Sequence, residues 1–124
     1  MFRAAVLFLT LALTLSAAEA TGKWSGSFDM KNSDGNTRPG TAYLDLKQTG
    51  EEISGTAGPN AERQHPIQKG KLAGKTLTFE VAEGAGVMVF SLTFENDRIE
   101  GDVAQHEDGK PTGRTARLAV TRVQ

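Results

Sequence analysis

The sequence predicts an all-β fold: a single antiparallel up-and-down barrel of about eight strands. Three observations carry that reading. From Thr21 onward, short runs of alternating apolar and polar residues recur, separated by Gly, Asn, Asp or Pro; this is strand periodicity punctuated by turns. One of the two faces so defined is apolar throughout, and the chain offers no amphipathic helix to cover it. The links between runs are short, so a meander is the simplest topology, and closing the sheet on itself hides the dry face and removes the edges. A two-sheet β-sandwich is the alternative arrangement.

The chain begins with Met1-Phe2-Arg3, continues as an apolar run from Ala4 to Leu15, and reaches the small-residue stretch Ser16-Ala17-Ala18-Glu19-Ala20. These are the three parts of a cleavable secretory signal peptide. Ala18 and Ala20 place the expected cut before Thr21, which divides the chain into a signal peptide over residues 1–20 and a β-barrel domain over residues 21–124. The apolar run is shorter than the roughly 20 residues that span a bilayer. With no cysteine to take a lipid or form a disulfide, the product is expected to be secreted, into a bacterial periplasm or the medium, with no stable membrane association after cleavage. Core packing is then its main source of stability.

The leader removes one basic and one acidic residue, Arg3 and Glu19, so the net charge of −1 is unchanged. That balance, with no block of like charge, disfavours nucleic acid as a partner.

The strands are expected at 23–30, 41–49, 52–58, 67–72, 76–82, 87–94, 98–105 and 113–123. Period two assigns their inner faces. Trp24, Phe28 and Met30 share a face on the first; Leu44 and Leu46 follow on the second, and Ile53 and Ala57 on the third. Leu77, Phe79 and Val81, then Met88, Phe90, Leu92 and Phe94, continue it. Ile99 and Val103, with Ala116, Leu118 and Val120, complete it. Lys47, Thr78, Glu80, Glu100, Asp102 and Arg117 form the wet face. Ile67 and Leu72 are out of phase, which predicts a bulge near Gly70. Gly26, Gly55 and Gly101 fall in phase with the dry face. Strands of a small barrel bend at glycine, and that reading is preferred to one in which they open space for a ligand.

Connections in a meander alternate between the two ends of the barrel. One end receives tight turns around Gly50, Gly74 and Asn96-Asp97. The other receives 31–40, 59–66, 83–86 and 106–112, three of them long and polar. The first and last strands bring Trp24 and Arg122 together at the tight-turn end. There the indole plugs the barrel, and a guanidinium stacked on it gains about 0.5 to 2 kcal/mol.

Gly22-x-Trp24 on the first strand, Arg122 at the end of the last, and a barrel closed at one end and looped at the other resemble the lipocalin-like calycin superfamily. The resemblance implies a binding protein. Thr21-Gly22-Lys23-Trp24 and Gly55-Thr56 are also similar to the avidins. Biotin binding is not implied, because Trp24 is the single tryptophan and Gly26 stands where an avidin places a polar ligand contact.

No Gly-x-Ser-x-Gly elbow, phosphate loop or paired metal-ligand spacing occurs, so no enzymatic activity and no cofactor are expected. Arg38, Arg63, His65, His106 and Lys110 all fall at the long-loop end and are the candidate ligand-binding residues. A metal on His65, His106 and Asp108 would need separate loops to converge, and none is assigned. The expected function is a secreted binding module of the calycin type that engages a small molecule or a secreted protein through the long-loop end. The alternative is a protein-interaction module, such as an inhibitor whose segment 58–66 enters the cleft of a secreted hydrolase.

Overall fold

Alternation along the strands curls the apolar face inward until the sheet closes. The structure, a computed structural model, describes residues 19–123. The proposed leader lies outside the described residues except for Glu19 and Ala20.

Nine strands follow one another: β1 (Gly22–Lys31), β2 (Thr37–Arg38), β3 (Thr41–Thr49), β4 (Glu52–Asn60), β5 (Arg63–Ala73), β6 (Thr76–Glu83), β7 (Gly86–Glu95), β8 (Arg98–Glu107) and β9 (Lys110–Arg122). No helix occurs among the described residues. The hydrogen-bonded order is β2-β1-β3-β4-β5-β6-β7-β8-β9, and β1 also pairs with β9. That last pairing runs antiparallel from Trp24↔Arg122 to Lys31↔Thr115 and closes an eight-stranded barrel. The two-residue β2 lies beside the far end of β1. Closure sets the sandwich alternative aside.

Two kinds of irregularity let so few strands close. At Gly26 and Gly55 a Cβ would lie 2.0 Å from the carbonyl oxygens of Ala119 and Asp45, and Gly55 has φ +130°. Neighbouring backbone occupies the place of a side chain there, so these glycines serve strand approach rather than an open lumen. The bulge expected near Gly70 is present, as a register shift between Gln68 and Lys71.

The loop asymmetry expected from the sequence is corrected at two of its links. Segment 31–40 remains a long connection, carrying only the two-residue β2 beyond Lys31. Segments 59–66 and 106–112 are instead largely strand: β4 and β5 run on to Asn60 and Arg63, and β8 and β9 to Glu107 and Lys110. These stretches project beyond the core with both faces wet. They lack apolar alternation and read as loops, although cross-strand hydrogen bonds need no apolar residue. Short polar side chains tighten the turns. Asn60 Oδ1 accepts from the N–H groups of Glu62 and Arg63 at 3.1 and 2.9 Å, and Asp108 and Gly109 take φ of 54° and 76°.

The lumen is filled with side chains. Trp24 and Phe94 meet edge to face at 5.7 Å near the tight-turn end. Higher up, Phe79 stacks on Phe90 at 4.4 Å, and Phe28 tilts against Phe90 at 6.4 Å. Leu44, Leu46, Leu77, Leu92, Ile99, Val103, Leu118 and Val120 are buried around them. Eight strands enclose just enough width for such a core.

Candidate functional site

The two ends of the barrel differ in chemistry. At the tight-turn end, the floor, Trp24 is fully buried and its Nε1–H donates to the Ala20 carbonyl at 3.0 Å. The Arg122 guanidinium lies 4.3 Å from the centroid of the indole. Its Nε donates to Asp97 Oδ1 at 3.0 Å, while Nη1 and Nη2 donate to the carbonyls of Thr21 and Glu19, each at 2.9 Å. One cation thus ties the first strand, the β7–β8 turn and the segment before β1 into a plug. Outside it lies an open depression bordered by Lys75, Phe94, Glu95 and Asn96. A Lys75–Glu95 ion pair at 3.0 Å spans part of this surface.

At the opposite end, the mouth, Phe28, Met30, Ile67 and Met88 are only partly buried against the core. Between them and the β8–β9 edge is a notch of about 10 Å³, lined by Met30, Met88, Val103, Gln105 and Arg114. That is room for about one water molecule. Below it the aromatic rings of Phe28, Phe79 and Phe90 pack together in the lumen.

A bulge shapes the mouth. Ala104 pairs with Thr115 and His106 with Pro111, so Thr112, Gly113 and Arg114 stand opposite the single residue Gln105. Gly113, at φ +95°, permits the excursion and lies against Ser33 of the β1–β2 turn. Extra residues of this kind re-aim side chains. Thr112 Oγ1 donates to Gln105 Oε1 at 2.9 Å, and Gln105 is the single buried polar residue of the described core. Arg114, in phase with Ala116 and Leu118, is half-buried and places Nη2 3.9 Å from Met30 Sδ. It takes part in none of the ion pairs of the described residues.

The five residues proposed from sequence lie on four strands, β2, β5, β8 and β9. Arg38 lies on β2 opposite Met30, on the face of the rim. Arg63 begins β5, and His65 follows opposite Ala57; both are exposed. His106 lies on β8 opposite Val87, one residue out of phase with the inward Gln105. Lys110 begins β9 and is exposed. Strands β6 and β7 separate the two histidines, and no group of three or more His, Cys, Asp or Glu among the described residues could hold a metal ion. The segment expected to enter a hydrolase cleft is the turn end of the β4–β5 hairpin, where Gln64 Nε2 donates to the carbonyls of Tyr43 and Asn60 at 3.0 and 2.8 Å.

Sequence reasoning passed over Arg114, Gln105 and Thr112. The signal was there in the alternation, since stepping back by twos from Ala116 reaches Arg114 and Thr112, and stepping on from Val103 reaches Gln105. No family model, no curated protein and no solved structure matches the chain.

Proposed function

We propose that the chain is an exported, non-enzymatic binding module of the lipocalin-like barrel type, which engages a partner protein on the rim of its mouth. The observation that carries this reading is the half-buried apolar set Phe28, Met30, Ile67 and Met88, with Arg114 against Met30 and sharing a notch with Met88, a cation outside every ion pair of the described residues. Such a surface suits a peptide segment that presents an apolar side chain next to a carboxylate. The carboxylate would sit on the guanidinium, which offers a planar fork of donors. The apolar side chain would cover the thioethers and Phe28, and methionine adapts well to such contacts.

The packed lumen favours a partner that stays on the rim over a small molecule that enters the barrel. The test is capture of secreted proteins from the producing organism by the immobilised domain, compared with Arg114→Glu and Met88→Asp. A partner retained by the parent and lost from both variants supports the reading. Equal capture by all three refutes it. A titration with apolar fluorescent probes addresses the small-molecule alternative, and no change in Trp24 emission is expected.

A further inference from the structure

Glu19 and Ala20 are built into the floor of the barrel. Ala20 is fully buried. Its carbonyl accepts the indole N–H of Trp24 at 3.0 Å, and its own N–H donates to Gln48 Oε1 at 2.8 Å. The Glu19 carbonyl accepts one of the two Arg122 Nη bonds, at 2.9 Å. Two residues that the sequence alone assigns to the discarded leader thus hold the plug of the domain together.

A cut before Thr21 would undo this arrangement in two ways. It would take the acceptor away from a buried indole N–H, and an unpaired donor in an apolar interior is costly. It would remove one of the carbonyls that Arg122 uses. A cut before Glu19 leaves both of these contacts in place and puts the new ammonium on a residue that carries its own carboxylate. The residue pattern permits either position: Ser16 and Ala18 supply the paired small side chains as well as Ala18 and Ala20 do.

We infer that the leader is removed between Ala18 and Glu19, and that Glu19 and Ala20 remain as structural parts of the mature domain. The inference rests on reading residues 1–18 as a secretory leader. The processing enzyme acts on extended chain, so the fold does not direct the cut. The fold distinguishes the cut that leaves a complete floor from the one that opens it.

The experiment is to express the full chain in a secreting bacterium and to determine the intact mass and N-terminal sequence of the exported protein. A start at Glu19 is expected. A start at Thr21 would overturn the position of the cut while leaving the leader reading intact. An unprocessed chain retained in the cytoplasm would overturn the leader reading, and the inference with it. Ser16→Phe provides a second readout, since it occupies one of the two small-residue positions of the inferred site and neither position of the alternative. Processing of this variant should fall by tenfold or more, and cleavage at the parental rate would refute the inference.

Discussion

Replacing Arg122 with Met tests the floor most directly. The methionine keeps an apolar stem over the indole and removes the charge, so the loss reflects the guanidinium alone. Its stacking on Trp24 at 4.3 Å contributes about 1 kcal/mol. The two bonds to the carbonyls of Thr21 and Glu19 add about 1 kcal/mol each, the net value of a hydrogen bond exchanged with water. The Asp97 pair is discounted, because the Asp97 side chain is 72% exposed and such pairs contribute about 0.5 kcal/mol or less. The variant should therefore lose about 3 kcal/mol, a large share of the roughly 5 to 15 kcal/mol that holds a small domain together. With a urea dependence near 1.5 kcal/mol per molar, the unfolding midpoint falls by about 2 M. Trp24 fluorescence reports both the transition and the loosening of the plug, with emission moving to longer wavelength. Arg122→Lys should recover part of the loss, since it restores the charge without the fork. A midpoint for Arg122→Met within about 0.3 M of the parent, with unchanged emission, would refute the account of the floor.

Three further outcomes are expected. Gly55→Ala should destabilise by about 3 kcal/mol, because its Cβ meets a backbone oxygen at φ +130°; Gly50→Asn, at φ +65° with nothing within 4 Å, should cost about 1 kcal/mol or less. Thermal melts of the pair check this, and equal losses would disprove the steric explanation. Phe90→Ala should cost about 3 to 5 kcal/mol and open a lumen that binds an apolar fluorescent probe ignored by the parent; a variant that stays dark to the probe shows that the barrel collapses instead. A double-mutant cycle on Lys75 and Glu95, whose side chains are 68% and 50% exposed, should give a coupling of about 0.5 kcal/mol or less that fades with salt.

Much of the barrel was legible because strand alternation is a local property. Leu77, Phe79 and Val81, or Phe90, Leu92 and Phe94, declare an inner face without reference to any partner. The mouth was harder to read for the same reason. Where both faces of a hairpin are wet, alternation carries no message, so 59–66 and 106–112 resembled loops although they are mostly paired strand. Candidate residues chosen for lying on loops, such as His106 and Lys110, consequently fell away from the inward positions, while Arg114 was treated as an ordinary strand residue.

The sequence by itself determined the β class, the apolar face, the need to close it, and the positions of Trp24 and Arg122 at matching strand ends. Each follows from periodicity and chain order. Only the tertiary structure decided that aromatic side chains fill the lumen, that three residues of β9 bulge opposite Gln105 to turn Arg114 over the mouth, and that Ala20 belongs to the core. Those outcomes depend on which backbones approach across the barrel and on which donors lack an acceptor until the chain closes. Contacts between residues as distant as Glu19 and Arg122 have no local signature, because neither residue's neighbours in sequence specify the other.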